Sequence, residues 1–205
     1  MRRISVNVGG LWRTSVELKE EATWYDLKYK IEKVTGIWMT CQKLEPDGKD
    51  GKKCELEEGD DVFCDWKFYD GDHPLHYAAK DGNIEAIRLW VASGADMNVV
   101  NEYKLTPLMY VCYRLTEECV TELLKWGSNT NLIDNDGETA LHKITLNYSN
   151  LEKIEKMEKI AKMLIKAGCD LTTRNENGET FIDKLKRRDC NELATKIEEW
   201  IKDQT

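Results

Sequence analysis

The phrase Asp72-His73-Pro74-Leu75-His76-Tyr77-Ala78 returns as Leu105-Thr106-Pro107-Leu108-Met109-Tyr110-Val111 and again as Glu138-Thr139-Ala140-Leu141-His142-Lys143-Ile144. His73 and Thr106 are 33 residues apart, and so are Thr106 and Thr139. Gly94 and Gly127 keep the same interval. Two markers on one period define a repeat. A unit this short cannot enclose a core alone, so each copy must bury its apolar side against the copies before and after it.

Within the first unit, Pro74 to Ala79 opens a helix that Gly82 can close by taking left-handed backbone. A second helix carries Ile84, Ile87, Leu89 and Trp90 and stops at Gly94. The second unit repeats this plan with Leu108, Val111 and Cys112, then Val120, Leu123 and Leu124. In the third unit both Thr139 to Thr180 and Gly127 to Gly168 measure 41 residues, so eight extra residues lie between them. Ser149-x-x-Glu152 has the form of a capping box, and Leu151, Ile154, Met157, Ala161, Leu164 and Ile165 hold helical spacing up to Gly168. The spacing predicts a second helix about two turns longer than its neighbours, covering either the array's own end or a partner. A last unit, ending in Leu193, Ala194, Ile197, Trp200 and Ile201 with charges on its other faces, reads as a cap.

This pattern resembles the ankyrin repeat over residues 70–205, in about four units: 70–103, 104–136, 137–177 and 178–205. The resemblance implies a turn and two antiparallel helices per unit. It also implies that His76 and His142, which share one slot, brace the turn through backbone hydrogen bonds. In the second turn Lys104 stands where the family has glycine.

Upstream the period is 2. Ile4, Val6 and Val8 alternate, Gly9-Gly10 turns, and Thr14, Val16 and Leu18 alternate again, predicting a hairpin. Thr23-x-x-Asp26 caps a helix with Leu27, Ile31 and Val34 on one side and Gly36 at its end. A short apolar stretch, a Lys/Gly/Asp-rich loop from Asp47 to Lys53 and an alternating Val62 to Phe68 complete the segment. Element order, together with Lys30-Ile31-Glu32-x-x-x-Gly36-Ile37 and Gln42-Lys43-Leu44, resembles the ubiquitin-like β-grasp over residues 1–69. The expected fold class is therefore α+β: a ubiquitin-like domain, then an all-α ankyrin solenoid.

The chain departs from ubiquitin in two ways. Its last strand runs through Phe68-Tyr69-Asp70-Gly71 into the first repeat instead of ending in a conjugating tail, and Glu45, Pro46 and Asp65 fall where apolar reader-contact residues would stand. Ordinary ubiquitin readers would meet buried unpaired charge there. With no Gly/Ser-rich linker before Pro74, the two parts should pack rigidly, Trp66 and Tyr69 serving either that junction or the sheet's own core.

The net charge of −8 is shared by both parts and argues against nucleic acid. No apolar run approaches the roughly 20 residues that span a bilayer, so the expected compartment is the cytoplasm, with the nucleus as the alternative. Seven cysteines without a Cys-x-x-Cys suit packing or surface thiols better than disulfides or zinc. No phosphate loop, zinc-protease motif or serine elbow occurs, and the acidic runs lack calcium-loop spacing. No cofactor, metal or catalytic residue is expected. A thiol enzyme is the remote alternative and would need a base that three structural histidines do not supply.

The ankyrin resemblance implies a partner surface on the turn tips (Asp72, Glu102, Tyr103, Asn135, Asp136, Glu138, Asn177 and Glu179) and on the inner helix face (Tyr77, Lys80, Tyr110, Tyr113, Arg114 and Leu146). Tyrosines within an acidic rim would suit a protein segment with Lys or Arg around an apolar anchor. A non-catalytic interaction subunit of a larger assembly is the expected role, and a ubiquitin-pathway or proteasome adaptor the alternative.

Overall fold

The computed structural model describes residues 1–8, 12–19, 22, 24–35, 42–45, 61–66, 72–92, 94–147 and 151–204. Gly9-Gly10, Gly36, the Asp47 to Lys53 loop, Tyr69 and Ser149, singled out above, lie outside these residues, as does the side chain of Trp66.

Period-2 patterning produces strand β1 (Arg2–Val8), antiparallel to β2 (Trp12–Leu18) with Ile4 opposite Val16. Ile4, Val6, Val16 and Leu18 face inward and are nearly or fully buried. On the outer face Arg3 meets Glu17 across the strands at 3.2 Å. Helix α1 (Trp24–Thr35) seats Leu27 and Ile31, both fully buried, on the inner side. Two further strands, β3 (Gln42–Glu45) and β4 (Asp61–Trp66), are antiparallel to each other, and β4 runs parallel to β1. The sheet order is β2-β1-β4-β3. At its far side α1 packs on the repeats, where Asn83 Nδ2 donates to the Lys33 carbonyl at 3.2 Å.

Four helix pairs follow. They are α2 (Pro74–Asp81) with α3 (Ile84–Ala92), α4 (Pro107–Arg114) with α5 (Glu117–Lys125), α6 (Ala140–Lys143) with α7 (Leu151–Lys166), and α8 (Phe181–Arg187) with α9 (Asn191–Lys202). The turns inside the first, second and fourth pairs take left-handed backbone at Gly82, Leu115 and Asp189. Leu75, Ile87, Leu108, Leu123, Leu141, Leu164, Phe181 and Leu193 belong to one apolar core that continues from the sheet to the last helix.

The third pair differs from its neighbours. As its inserted residues predict, α7 has 16 residues where α3 and α5 have 9. Its first helix is shorter than expected, because α6 gives way to a 3-10 turn at Ile144–Asn147. Thr145 Oγ1 donates to the His142 carbonyl at 2.9 Å, occupying an acceptor that a continuing α-helix would use. The extra turns of α7 lie against the array itself. Ile154 packs on the core, Lys159 reaches Glu117 at 3.6 Å, and Lys156 lines a groove shared with Gly82, Leu115 and Thr116.

Hairpin-like turns connect successive pairs, and an Asx residue staples each. Asn101 Oδ1 accepts from the amides of Tyr103 and Leu105 at 3.0 and 2.9 Å. Asp134 Oδ1 accepts from Asp136 and Glu138 at 3.0 and 2.8 Å, and Asn175 Oδ1 from Asn177 and Glu179, both at 3.0 Å. The turns need left-handed backbone at one position, met by Gly137 (φ +70°) and Gly178 (φ +73°) but by Lys104 (φ +57°) in the second unit. A side chain there costs about 1–2 kcal/mol, against about 0.5–1 kcal/mol of extra unfolded-chain entropy for glycine. Lys104→Gly should therefore stabilise the protein by about 0.5–1 kcal/mol in urea unfolding. An unchanged or lowered midpoint would show that the lysine stem is worth as much as the strain.

Candidate functional site

The turns stack edge to edge. Asn135 N donates to the Tyr103 carbonyl at 3.1 Å and Glu176 N to the Asp136 carbonyl at 3.0 Å, so the tips of the second, third and fourth units form one continuous rim. Asn135 Nδ2 adds a bond to the Glu102 carbonyl at 3.2 Å. On this rim and beside it Glu102, Tyr103, Asn135, Asp136 and Asn177 are exposed, as are Tyr113 and Arg114 on the inner helix. Tyr103 is 51% and Tyr113 45% accessible. Leu146 is half-buried, and Glu179 is half-buried and paired with Arg187.

Three residues expected on the partner surface are instead inside. Asp72 and Tyr77 are almost completely buried and Glu138 nearly so. Asp72 accepts from Asn101 Nδ2 at 2.7 Å and from the Tyr110 hydroxyl at 3.3 Å, and it holds the Lys80 ammonium in an ion pair. Lys80 also lies over the rings of Tyr110 and Tyr77, at 4.8 and 5.5 Å from their centroids. Asp72, Tyr77, Lys80 and Tyr110 thus tie the first unit to the second. Register could not reveal this, since the slots that point outward in an average repeat turn inward once a neighbour supplies the complementary charge.

Glu138 occupies the corresponding position between the third and fourth units. It receives Lys143 at 3.0 Å and pairs with Lys184, itself buried; Lys143 pairs in turn with Asp134. Burial alone would raise the Glu138 pKa, but hydrogen bonds from Lys184 and Lys143 outweigh it and bring it to about 2. Burial, together with the charges of Lys143 and Arg188, lowers the pKa of Lys184.

The histidines brace the turns as the ankyrin resemblance implies. His76 Nδ1 accepts from the His73 amide at 2.9 Å, which leaves Nε2 to carry the proton toward the carbonyls of Leu105 (2.9 Å) and Val99 (3.1 Å). His142 repeats this, with Thr139 N at 3.2 Å and the Glu179 carbonyl at 3.2 Å. Burial favours the neutral ring in both, lowering His76 to about 4 and His142 in the same direction. Neither ring has a free nitrogen for base catalysis. Cys112, Cys119, Cys169 and Cys190 are buried thiols whose pKa burial pushes up, Cys169 to about 11. That is the reverse of thiolate activation. Cys41, Cys54 and the Cys64 side chain lie outside the described residues.

Two rim residues were missed. Val100 and Ile133, 45% and 49% accessible, stand one position before Asn101 and Asp134 and are themselves 33 residues apart. An apolar residue recurring just before Asn101 and Asp134, though not before Asn175, was the available signal. Trp126, 46% accessible at the end of α5, was also missed; its indole donates to Glu122 at 2.9 Å.

Residues 75–175 match the family model described as ankyrin repeats (3 copies). Among curated relatives, the E3 ubiquitin-protein ligase KEG of Arabidopsis thaliana is 31% identical over 54% of this chain and 7% of its own length. The B-cell lymphoma 3 protein of Homo sapiens is 27% identical over 61% of this chain and 28% of its own length. The Caenorhabditis elegans homolog of transient receptor potential cation channel subfamily A member 1 is 34% identical over 72% of this chain and 11% of its own length. The chain thus spans less than a third of each of these relatives. Among the described residues no helix is long and apolar enough to cross a membrane. Taken with the 33-residue period, the stacked helix pairs and the stapled turns, the match shows that residues 75–175 of this chain are ankyrin repeats.

Proposed function

We propose that this protein is a non-catalytic interaction subunit that docks a protein partner on the rim and inner helices of its ankyrin array. The observation that carries the proposal is the continuous turn rim, with Val100, Tyr103 and Ile133 exposed at its turns and Tyr113 exposed on α4. Large apolar side chains held in water by a rigid frame lose little entropy on binding, and aromatic residues carry much of the energy of interfaces. Ankyrin repeats suggest protein–protein interaction in general; docking into a larger cytoplasmic assembly belongs to the proposal.

Residues 1–69 we take as a ubiquitin-like domain and residues 70–205 as the array. Support comes from the order β2-β1-β4-β3, with a central parallel pair and α1 across one face. The junction at Asn83 and Lys33 supports a rigid join. A second role, as a ubiquitin-pathway adaptor, draws on that strand order and on the ligase name of one relative. Glu45 and Asp65, on the neighbouring strands β3 and β4, count against it. Retention of the protein on immobilised ubiquitin-binding domains would favour the adaptor.

The docking proposal is tested with a photo-crosslinking residue in place of Tyr103. One discrete partner should be captured in cells, and adding Tyr113→Ala should reduce capture about tenfold with the fold intact by circular dichroism. Undiminished capture by a folded variant would refute the surface. Tyr110 is unsuitable for this test, because its hydroxyl belongs to the Asp72 brace.

A further inference from the structure

Large exposed apolar residues in the array are concentrated in one stretch. Among the described residues 72–204 they are Val100, Tyr103, Tyr113, Trp126 and Ile133, all from the second unit and its flanking turns. Charge on the rim changes along the same direction. At the second unit exposed Lys104 stands two residues from exposed Glu102 and offsets it, and Arg114 adds one exposed cation on α4. The tips of the third and fourth units bear Asp136 and Glu176, also exposed, while the other nearby carboxylates are already neutralised: Glu138 by Lys143 and Lys184, Glu179 by Arg187. The surface therefore has an apolar end whose charges nearly cancel and an anionic end, joined by the backbone ladder from Tyr103 through Asn135 and Asp136 to Glu176.

From this asymmetry we infer the chemistry and the polarity of the partner: an extended protein segment with an aromatic or large aliphatic anchor over Tyr103 and Tyr113, and Arg or Lys over Asp136 and Glu176. The inference rests on the docking surface proposed above. At the anchor position Lys104 and Arg114 outnumber Glu102, so a basic group finds net counter-charge only one or two layers away, at Asp136 and Glu176. Layers are about 8–10 Å apart and an extended chain advances about 3.3 Å per residue, which separates anchor and basic residue by about three to six positions. Guanidinium on carboxylate in this place fixes register and speeds encounter, and the apolar anchor holds the complex.

The test is selection of a phage-displayed random peptide library on three immobilised forms of the full chain: unmodified, Tyr103→Ala/Tyr113→Ala, and Asp136→Lys/Glu176→Lys. Each form is first checked for an unchanged unfolding midpoint. The unmodified chain should enrich peptides with an aromatic or aliphatic anchor followed or preceded at that spacing by Arg or Lys. The charge-reversed chain should retain the anchor preference, lose the basic one and bind the selected peptides about tenfold more weakly at low salt. The tyrosine variant should lose the anchor preference. Peptides that depend on Tyr103 and Tyr113 but carry no basic preference, or keep it after charge reversal, would overturn the partner chemistry and leave the docking surface standing. Enrichment indifferent to both pairs of substitutions would overturn the docking surface as well.

Discussion

Glu138→Ala is expected to lower the unfolding free energy by about 3–5 kcal/mol, which in a chain of this size is a fall of about 6–20 °C in Tm. The cost arises chiefly at Lys184. That ammonium lies between the third and fourth units, almost completely buried, and depends on Glu138 for its counter-charge. Lys143 is less affected because Asp134 remains beside it. With the carboxylate gone, Lys184 must either stay charged in a low-dielectric setting or lose its proton on folding. Since deprotonation is easier at high pH, the deficit of the variant should shrink as pH rises. The double variant Glu138→Leu/Lys184→Met removes both charges together and should recover most of the loss, because an ion pair in the interior gains little over apolar side chains of similar volume. Differential scanning calorimetry of the three proteins decides the matter. A single-variant loss below about 1 kcal/mol would mean that water reaches Lys184 and that the network contributes no more than an exposed ion pair.

Mild acid should destabilise the array well before ordinary carboxylates titrate. The folded-state pKa of His76, about 4, lies below the 6.5 of a free imidazole, so the unfolded chain binds the extra proton first. The stability His76 contributes is therefore complete above pH 6.5 and is lost as pH falls toward 4. The total is about 3 kcal/mol at about 1.4 kcal/mol per pH unit. His142 is shifted in the same direction and steepens the decline. Glu138 follows: its folded pKa of about 2 is below the ordinary 4.5, so its contribution is present above pH 4.5 and disappears as pH falls toward 2. Urea midpoints at pH 7.5, 6.5, 5.5 and 4.5 should be flat over the first interval and fall over the later two. His76→Met, copying the residue that the second unit has in that slot, should remove about 1.4 kcal/mol per unit from the slope between pH 6.5 and 4. A variant with the parental slope would show that protonated His76 is accommodated in the fold.

Much of this molecule was legible before any coordinates. Helix starts at Pro74 and Pro107 and the two-turn extension of α7 follow from local chemistry, proline's fixed φ and the helical spacing of apolar residues, while the bracing by His76 and His142 was implied by the ankyrin resemblance. The 3-10 turn after Lys143 was not legible, because it depends on a hydroxyl capturing one carbonyl. Neither was the sheet order, since β3 and β4 are distant in sequence from the strands they complete. Of the residues expected on a partner surface, Tyr103, Tyr113 and Asp136 are exposed, while Asp72, Tyr77 and Glu138 are buried.

That last division has a physical cause. The repeat period dictates the architecture, because a short period forces units to stack whatever stands at their variable positions. Which variable positions remain in water is settled by packing between units. Asp72 found Lys80 and Asn101, and Glu138 found Lys143 and Lys184, across distances in the chain of 5 to 46 residues. A charge is drawn inward when a partner of opposite sign compensates its desolvation, and that partner is chosen by folding, not by register.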